Sequence, residues 1–320
     1  MAGLAHTRLD ESTVCAALPP KNRSVEGLVS NWSKVKSVVT SNKVLDYYNQ
    51  CHIDYQIAWR LNKTFSIHYG FYDQDHRDHD SAVANMNRVM AQMAKITAAD
   101  RVLDAGCGVG GSTVWLAKNV DASVVGINLS ARQLEIAHQL ATSKGVTCQV
   151  EFSVRSFNET RFPDESFEVV WGLESICYAE HKELFVAEAA RVLKPGGRII
   201  VADGFLNRTA LSRREKLHLS AWLEGWAVPN LASVNDFQSY LNKLGFTNIK
   251  FVDITANVLP SSKRMFRASI LYYPLSKFFE WRGARTGMQA RNLTAAYHQY
   301  LALKQGSWLY GIFCAEKPAC

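Results

Sequence analysis

The spacing of the apolar positions along this chain changes near residue 96. The part before this point has a helical pattern, and in the part after it strand-like and helical segments alternate. Before it, apolar and aromatic residues recur at spacings of three and four between Val44 and Tyr48 and again between Met86 and Met93, which predicts helices. After it, short apolar runs alternate with helical segments, the pattern of parallel βαβ units. The sequence therefore predicts an α/β fold preceded by a helical cap.

The alternating part predicts strands and helices with definite bounds. The strands are expected at Arg101–Ala105, Ser123–Asn128, Val150–Val154, Phe167–Leu173, Arg198–Asp203, Asn248–Ile254 and Trp308–Ala315. The helices are expected at Thr113–Asn119, Ala131–Lys144, Lys182–Leu193 and Val234–Leu244. The KPGG segment at 194–197 is a helix stop signal. Residues 255–306 are too many for a hairpin loop, so we expect helices there, packed over the carboxyl ends of the strands.

These patterns divide the chain into three parts. Residues 1–30 have no sustained period and contain two adjacent prolines, so we expect a poorly ordered lead-in. Residues 31–95 form the helical N-terminal cap. Residues 96–320 form the α/β domain, with helical cap insertions at about 205–232 and 256–306.

Composition and charge narrow the class of protein. Of the 320 residues, 48% are hydrophobic and 20% are charged, which is typical of a globular protein. No uncharged apolar stretch reaches roughly 18 residues, and the N-terminus lacks the apolar core of a secretory signal. The seven cysteines are scattered without a C-x-x-C pair, which favours reduced thiols in a cytoplasmic protein and no zinc site. The net charge of +7 is spread without a basic run, so we expect no nucleic-acid partner.

A glycine-dense turn follows the first predicted strand, in the stretch VLDAGCGVGGS from Val102 to Ser112. Glycine has no Cβ, so such a turn lets backbone approach a ligand closely. Asp104 precedes the glycines, and a carboxylate there suits a cationic ligand better than a pyrophosphate. Glycine-rich turns of this kind also occur in other α/β enzymes.

With Asp104, Gly106, Gly108 and Gly110, the stretch resembles motif I of the class I S-adenosylmethionine-dependent methyltransferases. The resemblance implies a Rossmann-like sheet that is mostly parallel, with an antiparallel last strand. It also implies that S-adenosylmethionine is the cofactor and S-adenosylhomocysteine the product.

Segments after the next strands extend the resemblance. GINLSARQ at 126–133 is similar to the G-[IV]-[TN]-[LI]-S-x-x-Q segment of sterol, tocopherol and cyclopropane-fatty-acid methyltransferases. It implies that Asn128, Leu129 and Gln133 serve the ribose, where many methyltransferases use an acid. Ser156 falls in the position of the family's adenine-binding Asp, with Phe157 beside it.

Two further segments resemble segments of the same methyltransferases and supply candidate residues near the reacting groups. HYGF at 68–71 resembles the segment that closes over the cofactor in this group, and it implies that Tyr69 contacts the methionine part. LESICY at 173–178 is similar to the acidic segment of sterol, tocopherol and prenyl-diphosphate C-methyltransferases. It makes Glu174 and Tyr178 catalytic candidates, although Glu174 could also be an exposed or helix-capping residue. His181 is a candidate proton acceptor or a surface residue.

Aromatic and basic residues supply a candidate acceptor site. Tyr48 and Trp59 in the cap, with Trp222 and Tyr273 in the insertions, are expected to line an apolar pocket. Arg264 and Arg267 could bind a diphosphate at one end of it, or could lie on a helix surface. The polar run DQDHRDHD at 73–80 is interpreted as a solvated loop, and we expect no metal there.

These features predict a methyltransferase that acts on a small apolar acceptor. The favoured hypothesis is C-methylation of an isoprenoid double bond, in a prenyl diphosphate such as geranyl or farnesyl diphosphate, through a carbocation that could then cyclise. One alternative is an O- or N-methyltransferase of a tocopherol-like or alkaloid-like natural product. Another is a non-catalytic cofactor-binding protein. The sequence leaves the oligomeric state open, homo-oligomers included.

Overall fold

The computed structural model describes residues 43–51, 54–56 and 59–319. The predicted lead-in and the first part of the predicted cap lie outside the described residues. The helices are α1 (43–51), α2 (Leu61–Thr64), α3 (His79–Met93), α4 (Gly111–Val120), α5 (Ala131–Lys144), α6 (Lys182–Val192), α7 (Arg213–Gly225), α8 (Val234–Lys243), α9 (Thr255–Trp281) and α10 (Gly287–Lys304). The strands are β1 (Arg101–Ala105), β2 (Ser123–Asn128), β3 (Val150–Val154), β4 (Phe167–Leu173), β5 (Leu193–Leu206), β6 (Thr247–Asp253) and β7 (Trp308–Glu316).

The seven strands form one sheet in the order β3-β2-β1-β4-β5-β7-β6. The first five strands pair in parallel, and β7 runs antiparallel between β5 and β6. The strand order reverses between β1 and β4, and open α/β sheets bind ligands at the carboxyl ends of the strands beside such a reversal. The predicted fold class, a mostly parallel Rossmann-like sheet with an antiparallel last strand, is confirmed.

Apolar residues cover both faces of the sheet. One buried cluster joins α1, α3 and α4 with residues of α7, α9 and α10. The other lies under α6 and α8. The strands β1 and β4 are buried along almost their whole length, as expected for the centre of a parallel sheet. No helix in the described part of the chain is both long and apolar enough to cross a membrane.

Two local predictions differ from the structure. β5 begins at Leu193, so the predicted helix stop at 194–197 lies inside the strand, where Gly196 has a φ of +76° and its N–H donates to the carbonyl of Lys317. The solvated loop predicted at 73–80 is wrong for its last residues. The side chain of Asp78 caps α3, and His79, its first residue, is only 7% exposed because its ring packs against Trp59. Among the described residues, no cluster of His, Cys, Asp or Glu could hold a metal ion.

Candidate active site

The glycine turn between β1 and α4 depends on backbone geometry that only glycine accepts without strain. Gly106 has a φ of +93°, and a Cβ there would lie 2.5 Å from the Cβ of Ser175. Gly108 has a φ of +56° with no atom within 4 Å of a Cβ position, so its backbone borders open space. Gly110, also at positive φ, faces Ala137 of α5 instead and does not line the cleft. Gly110 thus serves the packing of α5, and its contact with the cofactor stays a prediction.

Asp104 lies at the carboxyl end of β1, beneath this turn. The carboxyl group is 2% exposed, and its Oδ2 accepts a hydrogen bond of 2.6 Å from the hydroxyl of Thr113. Burial raises the pKa of Asp104 to about 7. A cation bound in the cleft would favour the ionised form, because opposite charges lower the pKa of a carboxyl group.

A cleft beside the turn brings together most of the predicted cofactor residues. It is lined by Asp104, Gly106, Gly108, Asn128, Leu129, Gln133, Ser156 and Phe157. Nδ2 of Asn128 donates to Oε1 of Gln133 at 2.6 Å, and Oδ1 of Asn128 accepts from the N–H of Leu129 at 2.8 Å. The two amides are thus held in one orientation at the edge of the cleft. A glycine cradle, a buried carboxyl group and paired amides fit the groups of S-adenosylmethionine, which carries positive charge and ribose hydroxyls.

Two neighbouring residues of the HYGF segment at 68–71 line different cavities. His68 lines the cofactor cleft, and its Nδ1 lies 2.9 Å from the carbonyl oxygen of Tyr69. Burial lowers the pKa of His68 to about 4, so the ring is neutral and donates from Nδ1. Tyr69 does not line the cleft: its ring packs against Trp59 and Tyr310 in the neighbouring cavity. The structure thus places the ring of Tyr69 in the larger cavity, and its contact with the methionine part stays a prediction.

A larger cavity of about 630 Å³ adjoins the cofactor cleft. Its walls come from the cap, α7, α9, α10 and β7, and they include the predicted residues Tyr48, Trp59, Trp222, Arg264 and Arg267. Tyr273 is absent from these walls, and its ring is 45% exposed on the outer side of α9. The helix turns this position away from the cavity, so the structure does not bring Tyr273 together with the other predicted substrate-binding residues.

Glu174 lies where the two cavities meet, directly after β4. It lines both, as do Tyr48 and Tyr178. Its Oε1 accepts hydrogen bonds from the N–H of Tyr69 at 2.6 Å and from the hydroxyl of Tyr310 at 2.7 Å. Burial raises the pKa of Glu174 to about 8, although both of these donors act to lower it. Glu174 is thus a partly buried carboxyl group between the two cavities, with a pKa raised to about 8.

Asp203 is a second carboxyl group in the larger cavity, and the sequence analysis did not select it. It is 5% exposed and accepts hydrogen bonds of 2.8 Å from the backbone N–H groups of Cys177 and Gly204. Burial raises the pKa of Asp203 to about 6. Its position near the end of a predicted strand, like that of Asp104, was a signal that could have identified it. Tyr310 offered no such signal, because only the pairing of β5 with β7 brings it to Glu174.

His181 does not belong to either cavity. It occupies the N-cap position of α6, and its Nδ1 lies 3.4 Å from the carboxylate of Glu183. The structure therefore does not bring His181 to Glu174 and Tyr178, and its role as proton acceptor stays a prediction. The neighbouring Lys182 is buried, and its ammonium group donates to oxygens of Cys177, Ala179 and Asn230, at distances of 2.6–3.0 Å. These bonds hold the segment that carries Tyr178 against the loop before α8.

The basic residues of the larger cavity lie on and after α9. Arg285 donates to Asp54 at 2.8 Å, and Nη2 of Arg264 lies 3.2 Å from Nε2 of His79. Arg267 lies on an exposed face of α9 that borders the cavity. The cavity therefore combines aromatic walls with carboxyl groups near the cofactor cleft and guanidinium groups on α9.

Comparisons with known proteins agree with this geometry. A family model described as a methyltransferase domain matches residues 103–201. The 27-O-demethylrifamycin SV methyltransferase of Amycolatopsis mediterranei is 31% identical over 196 residues, which cover 61% of this chain and 72% of that protein. The chloroplastic tocopherol O-methyltransferase of Arabidopsis thaliana is 27% identical over 310 residues, which cover 89% of this chain and 86% of that one.

The fold of this chain is similar to that of a solved methyltransferase structure. The geranyl diphosphate C-methyltransferase from Streptomyces coelicolor A3(2) superposes with a TM-score of 0.66 at 20% identity, over 87% of this chain and 97% of that one. The glycine turn, the cleft beside it and the relatives lead to one conclusion. The chain belongs to the S-adenosylmethionine-dependent methyltransferases, with S-adenosylmethionine as its cofactor.

Proposed function

We propose that this enzyme methylates a carbon of an isoprenoid double bond, with a prenyl diphosphate such as geranyl or farnesyl diphosphate as the acceptor. The observation that carries the proposal is the position of Glu174 between the cofactor cleft and an aromatic cavity of about 630 Å³. Ligand pockets of small molecules usually enclose about 300–1,000 Å³, so the cavity is large enough for such an acceptor.

The walls of the cavity suit an acceptor that becomes a cation. An alkene carbon that takes up a methyl group leaves a positive charge on its neighbour. Aromatic faces stabilise a cation by about 0.5–2 kcal/mol each when water is excluded. Rings from four different parts of the fold line the cavity, and they include Tyr48, Trp59, Tyr69, Trp222, Trp308 and Tyr310.

The cofactor cleft positions the methyl group against this cavity. Bound S-adenosylmethionine supplies an electrophilic methyl group. We assign its binding to Asp104, for the positive charge, to the backbone of Gly106 and Gly108, and to the residues near the adenosyl group, Asn128, Leu129, Gln133, Ser156 and Phe157. Holding donor and acceptor in one geometry can itself contribute roughly 7–11 kcal/mol to catalysis.

The carboxylate of Glu174 stabilises the cation and then removes a proton from the carbon beside it. The electrons of that C–H bond form the new double bond, and the proton passes to Glu174. A pKa of about 8 in the free protein suits this exchange, because the positive charge of the bound cofactor lowers the pKa toward neutrality. Tyr178, which also lines both cavities, completes the wall at this point.

The guanidinium groups of α9 fit the other end of the acceptor. Arg264 and Arg267 both line the cavity, and guanidinium groups bind phosphate oxygens through two parallel hydrogen bonds. The proposal therefore orients the acceptor with its diphosphate at α9 and its apolar chain among the aromatic rings.

The test is to incubate the enzyme and S-adenosylmethionine with prenyl diphosphates, sterols and phenols, and to measure product masses for the gain of one methylene unit. We expect product from a prenyl diphosphate, and a loss of at least a hundredfold in kcat for Glu174→Gln with little change in the Kd of the cofactor. Leu217→Ser, on the outer surface of α7, is the matched control. Methylation of the phenols alone, or full prenyl turnover by Glu174→Gln, would refute the proposal.

O-methylation of a phenol is the second candidate. It is favoured by the relatives named as O-methyltransferases, among them the tocopherol enzyme that aligns with most of this chain. A phenol needs a base to take its proton, and Glu174 would supply it. Among the described residues that line the larger cavity none is a histidine. The phenols in the panel decide between the two candidates.

A further inference from the structure

The last turns of α9 form an apolar surface that faces solvent. From Ile270 to Trp281 every residue is exposed except Ser276 and Glu280. Leu271 is 71% exposed, Phe278 50% and Trp281 78%. Monomeric proteins rarely expose a continuous apolar patch of this kind unless it binds something. We call these residues, 270–281, the α9 arm.

The α9 arm is continuous with the acceptor cavity. Leu271, Tyr272, Leu275 and Phe279 belong to the arm, and they also line the cavity wall. Tyr273, Phe278 and Trp281 do not line the cavity. An apolar molecule on the outside of the arm would therefore meet apolar side chains all the way into the cavity.

The exposed charge around the arm is positive. Arg285 pairs with Asp54 and Lys277 pairs with Glu280, and the exposed basic residues beside the arm are Lys263, Arg267 and Arg282. A symmetric contact with a second copy of the chain would place such a patch against itself, and like charges across an interface are unfavourable. An anionic lipid surface attracts basic groups that lie near it. Tyr and Trp side chains are also those that settle at the level of lipid head groups.

We propose that the α9 arm docks the enzyme on an anionic lipid surface, with its apolar side chains among the lipid head groups, and that the acceptor enters the cavity from that surface. The route of the acceptor rests on the proposed apolar substrate. The docking itself rests on the exposed side chains and the charge of the arm.

The test is co-sedimentation of the full chain with vesicles of phosphatidylcholine alone and of phosphatidylcholine with phosphatidylglycerol, without acceptor or cofactor. We expect binding to the anionic vesicles that weakens as salt is raised. The double variant Phe278→Ser/Trp281→Ser should reduce the partition coefficient at least tenfold, and Arg282→Glu should weaken binding to anionic vesicles. Leu217→Ser removes an equally exposed apolar side chain, 61% exposed on α7, and should bind as the wild type does.

Three results would overturn the proposal: no binding to anionic vesicles, equal binding to the uncharged ones, or unchanged binding of the double variant. A wild-type dimer that the double variant converts to a monomer would assign the arm to a second copy of the chain instead. Because the vesicles carry no acceptor, an error in the proposed substrate leaves this result unaffected. Circular dichroism of each variant verifies that the fold is retained.

Discussion

Removing the hydroxyl of Tyr310 should shift the pH dependence of methyl transfer toward alkaline pH. This hydroxyl donates to Oε1 of Glu174 at 2.7 Å, and it therefore stabilises the ionised carboxylate. A hydrogen bond to a charged group contributes about 1.5–3 kcal/mol, and one pKa unit corresponds to about 1.4 kcal/mol. In Tyr310→Phe the pKa of Glu174 should rise by about 1–2 units, both from about 8 in the free protein and from its lower value in the complex with the cofactor.

The shift of the rate profile toward alkaline pH follows from the role of Glu174 as a proton acceptor. A carboxylate that must be ionised gives a rate that rises with pH through its pKa. Raising that pKa by one unit lowers the ionised fraction about tenfold at pH values well below it, and leaves the rate unchanged well above it. Tyr310→Phe should therefore lose about tenfold or more in kcat at neutral pH and recover at alkaline pH.

The assay is the initial rate of methyl transfer against pH, with S-adenosylmethionine and acceptor saturating. Tyr240→Phe, a change of the same kind on α8, is the control and should follow the wild type. If the profile of Tyr310→Phe superposes on that of the wild type, or moves to acid pH, Glu174 does not act as a carboxylate stabilised by Tyr310. A uniform loss at every pH would assign Tyr310 to packing alone.

Three further predictions concern the cofactor cleft and its support. Asp104→Asn should weaken S-adenosylmethionine binding about tenfold or more by calorimetry, and the increase in affinity as pH rises through about 7 should be smaller in the variant than in the wild type. Gly106→Ala should lower the free energy of unfolding by more than about 2 kcal/mol in urea, because its Cβ would lie 2.5 Å from that of Ser175, whereas Gly108→Ala should cost about 1–2 kcal/mol for its positive φ alone. The folded state keeps His68 neutral down to a pKa of about 4, so its contribution of about 3 kcal/mol is present above pH 6.5 and disappears as pH falls toward 4. Between pH 7 and pH 4.5 the free energy of unfolding in urea should change less favourably in the wild type than in His68→Gln, by up to about 3 kcal/mol, because the buried carboxyl groups that titrate in this range are common to both proteins; equal changes would contradict the prediction.

Most of the sheet was predictable because it depends on local pattern. Apolar runs marked the strands, and helical spacing marked α5, whose predicted bounds agree with the structure. The bounds of β5 were wrong because Leu193 is held by pairing with Phe167 of β4, a contact that local sequence does not encode.

The candidate active site also has residues that the local sequence predicts and residues that depend on the tertiary structure. Residues at the end of a central strand or directly after it, such as Asp104 and Glu174, could be selected because parallel strands all end at one edge of the sheet. His181 is only a few residues past Glu174, yet the start of α6 turns it away from both cavities. Tyr69 was assigned to the cofactor from its motif, but packing against Trp59 and Tyr310 holds its ring in the larger cavity.

The sequence by itself determined the class of fold, the cofactor and the segment that carries the central carboxyl group, because each depends on residues close together in the chain. Only the tertiary structure decided what surrounds that carboxyl group. Tyr310 reaches Glu174 across 136 residues of sequence, and the antiparallel register of β7 against β5 sets that contact. The pKa of Glu174 and the shape of the cavity beside it follow from burial, which is a property of the packed molecule and not of any segment.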